Sequence, residues 1–130
     1  MKLTAKDLEL FRDRFYDFND GVVCEVELAV RFAPETCRIR IESKDRDSDS
    51  GWSHVCFDVQ DVREFRFARG RRIFQVLSSG IQFAWRGELV YVVLDAYPDD
   101  SEDLPDLTKN IAYVAGTSCE WNAIPISPKA

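Results

Sequence analysis

A single histidine and a single methionine in 130 residues leave little for metal or acid–base chemistry to use. Any Ser-His-Asp or Cys-His arrangement must pass through that one imidazole, His54. The four cysteines, Cys24, Cys37, Cys56 and Cys119, form no Cys-x-x-Cys pair and have no clustered histidines beside them, so the common zinc spacings are excluded. No apolar run approaches the roughly 20 residues needed to cross a bilayer. The stretch 89–94 is only strand-length, and residues 1–10 alternate charges with leucines and lack the apolar block of a leader. Cationic residues are in deficit, 17 against 23 acidic, for a net charge of −6. That balance disfavours nucleic acid and anionic membranes, which both reward excess Lys and Arg. The absences together predict a cytoplasmic protein with reduced cysteines that act as small buried hydrophobes, and with no cofactor and no metal.

What is present is a chain of one-domain length, 45% hydrophobic, that can bury a core without metal or disulfide staples. Its first element reads as a helix over about residues 4–18. Thr4 is the N-cap with Asp7 three positions on, and Leu3 and Leu8 have the spacing of a hydrophobic staple. Leu8, Phe11, Phe15 and Phe18 form one apolar stripe. From Val22 the period changes to two. Cys24, Val26, Leu28, Val30 and Phe32 share a face, as do Cys37, Ile39 and Ile41 after a turn at residues 33–36, which would set Phe32 opposite Cys37 and leave Cys24 beyond disulfide reach. Further strands are predicted at residues 55–59, 65–67, 73–77, 81–85, 89–96, 111–115 and 119–124, with residues 125–130 as a tail. Residues 89–94 are nearly all apolar, the mark of a central strand covered on both faces. The fold class is thus mainly β, α+β by strict count: one N-terminal helix packed on an antiparallel sheet or partly open barrel of eight or nine strands, in a single domain over residues 1–130.

Four stretches carry candidate chemistry. Asp45-Arg46-Asp47-Ser48-Asp49-Ser50-Gly51 starts like a helix–loop–helix calcium loop, but its glycine comes one residue late and Cys56 stands where the bidentate Glu belongs. A solvated loop is the better reading. His54 shares a strand face with Trp52, Cys56 and Asp58, and a thiol–imidazole pair with Cys56 is the one enzyme-like arrangement available, without the glycine-rich elbow that would accompany it. Arg63, Arg66, Arg69, Arg71 and Arg72 alternate with Phe65, Phe67 and Phe74. That pattern suits single-stranded nucleic acid, but it equally suits a hairpin whose phenylalanines face the core, and the net charge favours the second. Asp99, Asp100, Glu102, Asp103 and Asp106 form an acidic pole with no Lys or Arg between Asp95 and Asp106. As a solvated loop it does nothing; as a docking surface it would attract a basic protein by fast electrostatic capture. Trp52, Trp85 and Trp121 are available as anchors, although Trp85 continues the face of Ile81 and Phe83 and is expected in the core.

The aromatic-x-Asp sequence Phe15-Tyr16-Asp17 ahead of the first strand, the Trp-led strand Trp52-Ser53-His54-Val55-Cys56-Phe57 and the following Val59, Val62 and Phe65 resemble small β-rich bacterial immunity proteins of polymorphic toxin systems. The resemblance covers about half the chain, and Tyr16 stands where such proteins often carry His. It implies a non-enzymatic protein-binding module that neutralises a basic toxin domain, with no catalytic residues to transfer. The expected function is such a module, docking through the acidic pole, with Trp52, His54 and the arginine hairpin as secondary candidates. Two readings from other classes stand beside it: a β-barrel holding a small molecule between helix and sheet, and an enzyme built around His54.

Overall fold

Thr4 opens the first element as the sequence predicts. In the computed structural model, which describes residues 1–29, 35–67, 76–95 and 112–127, Thr4 Oγ1 accepts the Asp7 backbone N–H at 3.3 Å. A 3-10 turn, Ala5–Asp7, leads into α1, Leu8–Arg14. The helix is shorter than the expected 4–18. Tyr16, Asp17 and Phe18 have φ of 54°, 56° and 62°, so the backbone reverses hand just after Phe15. Left-handed backbone costs L-residues roughly 1–2 kcal/mol each. What the turn achieves is placement: Phe15 and Phe18 are both fully buried, with rings stacked 5.1 Å apart.

Seven strands follow among the described residues: β1 Gly21–Ala29, β2 Thr36–Lys44, β3 Trp52–Phe67, β4 Val76–Leu77, β5 Ile81–Arg86, β6 Leu89–Leu94 and β7 Ala112–Pro125. All pair antiparallel in one sheet of order β4-β1-β2-β3-β7-β6-β5. The two outermost strands of that order, β4 and β5, are neighbours in the chain, joined only by Ser78-Ser79-Gly80. The sheet therefore curls into a nearly closed barrel, and Phe83 on β5 comes within 5.6 Å of Phe57 on β3. The seam is pinned from both sides. Asp20 N–H donates to the Leu77 carbonyl at 2.9 Å, and Asp95 accepts the Ser79 N–H on Oδ1 at 2.7 Å. Gly80 has φ of 69°, and any Cβ there would strike the Asp17 carbonyl oxygen, so the left-handed turn lies directly on the seam.

Several sequence expectations need correction. Residues 55–59 and 65–67 belong to one 16-residue strand, β3, which bends at Asp61, with φ of 50°, and at a bulge between Val62 and Glu64 rather than breaking. Residues 111–115 and 119–124 are likewise one strand, β7. The missing Cβ of Gly116, between the two expected strands, lets Gln60 and Val59 of β3 approach closely, and the ladder runs through it. These two fusions reduce eight or nine strands to seven. The β1–β2 register sets Leu28, not Phe32, opposite Cys37. A bulge between Val23 and Glu25 turns Cys24 out to solvent, so it is not one of the buried cysteines. Cys24 still lies well along β1 from Cys37, and all four cysteines are free thiols.

The interior is a lattice of aromatic rings. Phe11, Phe15 and Phe18 from the helical segment meet Phe57, Phe83 and Trp121 from the sheet at centroid distances of 4.8–6.1 Å. Ile39, Ile41, Val55, Val59, Val92 and Val114 complete the inner wall. On the outer side of β6 a second cluster buries Tyr91, Val93 and Ala115. β6 is therefore covered on both faces and paired on both edges, as its sequence predicts. Trp85 does not follow Phe83 inward. It lies opposite Val90 near the turn of the β5–β6 hairpin, at the rim of the core, and is 36% exposed.

Candidate functional site

The acidic pole, Asp99, Asp100, Glu102, Asp103 and Asp106, lies outside the described residues, as do Arg69, Arg71 and Arg72. Asp95, at the start of that acidic stretch, is spent on the barrel seam. The expected arginine hairpin is not among the described pairings: Arg63 and Arg66 lie on β3, which pairs with β2 and β7, while β4 pairs with β1. Arg63 pairs with Asp61 through two contacts of 3.2 and 2.8 Å, and Arg66 is exposed. Phe65 and Phe67 pair with Val114 and Ala112 and stack 6.3 Å apart, with Phe65 left 49% exposed.

His54 faces outward with Cys56 and Asp58, as the alternation predicts, because Val55, Phe57 and Val59 take the inner wall. Its strand neighbours across the ladders are Glu42 and Ile124. His54, Cys56 and Asp58 line an open depression of about 330 Å³ with Glu25, Arg38, Arg40 and Asn122. Here charges pair off: Arg38 Nε donates to Asp58 at 3.0 Å, and Arg40 lies 3.4 Å from Glu25. His54 Nδ1 stands 4.0 Å from Glu42, too far for a hydrogen bond, and has no partner among the described residues. Burial, with Asp58 nearby, pushes the Cys56 thiol up, and Arg38 and Arg40 do not reverse it. A thiol held in that direction is a poorer nucleophile than a free cysteine.

Burial orders the thiols further. It pushes Cys37 up to about 11 and Cys119 up to about 12, with Asp58 adding to both. Thiol titration of the native protein should therefore label exposed Cys24 first and Cys37 and Cys119 only on unfolding, when all four react. Two reactive groups in the unfolded, unreduced protein would instead reveal a disulfide.

The best-built polar arrangement went unseen in the sequence. Asp45, its side chain fully buried, accepts from Arg14 Nε at 2.9 Å, Arg14 Nη2 at 3.1 Å, Ser53 Oγ at 2.6 Å and the Asp47 N–H at 3.0 Å. Burial raises the Asp45 pKa, but Arg14, Ser53 and the Asp47 amide outweigh it and hold the carboxyl below its ordinary value. The carboxylate that would begin a calcium loop is thus consumed within the protein, and no group of three or more metal-ligating side chains is found among the described residues. This network clamps the 45–51 loop to the end of α1, where Arg46 N–H donates to the Arg14 carbonyl at 3.1 Å. Its outer rim is a groove of about 440 Å³ whose lining includes Tyr16, Lys44, Arg46, Asp49 and Trp52. Of these, Trp52 is a sequence candidate for an anchor, and Arg46 and Asp49 fall in the loop that starts like a calcium site; Tyr16 enters only through the resemblance.

Among the described residues no helix is long and apolar enough to cross a membrane. Comparisons of the chain with protein-family models, with curated proteins and with solved structures found no match.

Proposed function

We propose that the chain is a non-enzymatic, intracellular protein-binding module that captures a basic partner, in the manner of an immunity protein neutralising a toxin domain. The observation that carries this reading is the filled interior. Between helix and sheet, where a small-molecule barrel would hold its ligand, six rings are in mutual contact. Recognition is thereby moved to the outer surface, where Tyr16, Trp52, Phe65, Trp85 and Ile124 are exposed on or beside rigid strands. The net charge of −6 supports a basic partner over an acidic one.

The acidic pole governs encounter in this reading. Exposed charges act over a Debye length of about 8 Å at physiological salt, so they speed association more than they hold the complex. Neutralising Asp99, Asp100, Glu102 and Asp103 together should slow association with a basic toxin-domain partner by roughly tenfold and flatten its salt dependence, with folding unchanged. Stopped-flow association across a salt series measures this. Wild-type rates at every salt concentration would remove the acidic pole from the interface.

A further inference from the structure

The groove beside the left-handed turn brings together one tyrosine, one tryptophan and one arginine, the three residue types that dominate binding hot spots. Each is accessible, with Tyr16 40% and Trp52 36% exposed and the Arg46 side chain 49% exposed. Each is also held in place before any partner arrives. Trp52 is fixed through its backbone: its carbonyl accepts Ser48 Oγ at 2.6 Å and its N–H reaches Ser50 Oγ at 3.3 Å. Tyr16 is displayed by the left-handed turn, beneath the Arg46 guanidinium, 4.1 Å from its ring centroid. Arg46 Nε donates to the Asp13 carbonyl at 2.9 Å.

Arg46 Nε also lies 3.8 Å from the Asp13 carboxylate, an ion pair too long for a hydrogen bond. The two terminal amino groups of Arg46 have no hydrogen-bond partner among the described residues, and Asp45 is already taken by Arg14 and Ser53. A planar fork fixed over an aromatic ring suits a bidentate carboxylate. Lys44 lines the same groove and pairs with Asp20 at 3.4 Å. Asp49 and a net charge of −6 turn away a polyanion such as nucleic acid, but they permit a single carboxylate on a peptide backbone.

We propose that this groove docks a segment of a partner protein that presents a Glu or Asp carboxylate to Arg46 and an apolar side chain to Trp52. The proposal rests on the protein-binding reading and names its site. The acidic pole brings a basic partner near, and the groove sets its register by reading one of that partner's carboxylates.

The test needs no natural partner. The isotope-labelled full chain is titrated with acetyl-Glu-Leu-amide, acetyl-Gln-Leu-amide and acetyl-Lys-Leu-amide, and the Arg46 Nε–H and Trp52 indole N–H resonances are followed. Saturable shifts of both signals with the Glu peptide are expected at roughly millimolar affinity, with the Gln peptide about tenfold weaker and the Lys peptide weaker still. Arg46→Gln should abolish the Glu-over-Gln preference. Equal titration by the Glu and Gln peptides, tightest binding of the Lys peptide, or shifts confined to other residues would overturn the proposal, as would an unchanged preference in Arg46→Gln. If that variant does not fold, the three-peptide comparison on the wild-type chain still decides. Failure of the broader reading would show elsewhere, in the salt-dependent association kinetics of the acidic-pole variant, which substitutes none of the groove residues.

Discussion

Replacing Phe15 by Ala is expected to remove about 3–5 kcal/mol of folding stability, the range for truncating a buried phenylalanine with incomplete collapse of the site. Phe15 is fully buried and meets Phe11, Phe18 and Trp121 at 5.2, 5.1 and 5.7 Å, with the Arg14 guanidinium 4.7 Å from its ring. Its surroundings cannot relax easily. The backbone on its C-terminal side is the left-handed turn, which is locked against Gly80, and on the other side lies α1. A cavity should therefore persist, and the strain of the turn would lose the packing that offsets it. Leu10→Ala on the same helix is the control: Leu10 is 77% exposed, and its loss should stay within about 0.5 kcal/mol. Urea denaturation of the two variants checks this. A Phe15→Ala loss under about 1 kcal/mol would mean that the helical segment does not close the barrel.

Arg14→Met should cost about 3 kcal/mol at neutral pH, and the cost should shrink in acid. Removing one partner of a buried ion pair leaves the other charge uncompensated. In the wild type the Asp45 pKa lies below its unfolded value. A depressed carboxylate pKa contributes stability above the unfolded pKa, near 3.9, and that contribution is lost as pH falls through the folded pKa. Without Arg14, burial becomes the leading influence and the shift reverses, because Ser53 and the Asp47 amide alone serve a carboxylate with no exposed surface. The variant should then gain relative stability as Asp45 takes up a proton. Denaturation midpoints measured from about pH 7 to about pH 3 would show the two proteins converging. A difference constant across that range would mean that Arg14 acts through its packing on Phe15 and Trp121 and not through Asp45.

Local patterns in the sequence were legible where local physics decides. The Thr4 cap, the Phe11–Phe15–Phe18 stripe, the inward alternation of Val55, Phe57 and Val59 and the doubly covered Leu89–Leu94 strand each depend on near neighbours in the chain. The errors share a different cause. Residues 111–115 and 119–124 read as two strands unless the approach of Gln60 from β3 to Gly116 is known. Cys24 reads as inward until the bulge beside it is seen, and Trp85 until it is seen to lie at the rim near the hairpin turn. The polar network was illegible for the same reason. Nothing near Asp45 announces that Arg14, on another element, will neutralise it, and without that pair neither the clamp on the loop nor the Arg46 groove can be inferred. His54 was placed on the correct face, but its surroundings come only from the packing of four strands, β1, β2, β3 and β7.

The strand order also sets the tempo of self-assembly. The β1–β2–β3 meander and the β5–β6 hairpin join neighbours in the chain and cost little loop entropy to form. The longest ladder, β3 with β7, joins residues as remote as Ser53 and Pro125, and β4 must return to β1 across the whole of β2 and β3. Chains dominated by such non-local pairing fold in milliseconds to seconds, because loop closure must be completed before the ladder rewards it. Until β7 arrives, one edge of β3 and one edge of β6 are both unpaired. Any state of the chain in which β7 has not paired leaves both edges open, and residues 112–125 close them together.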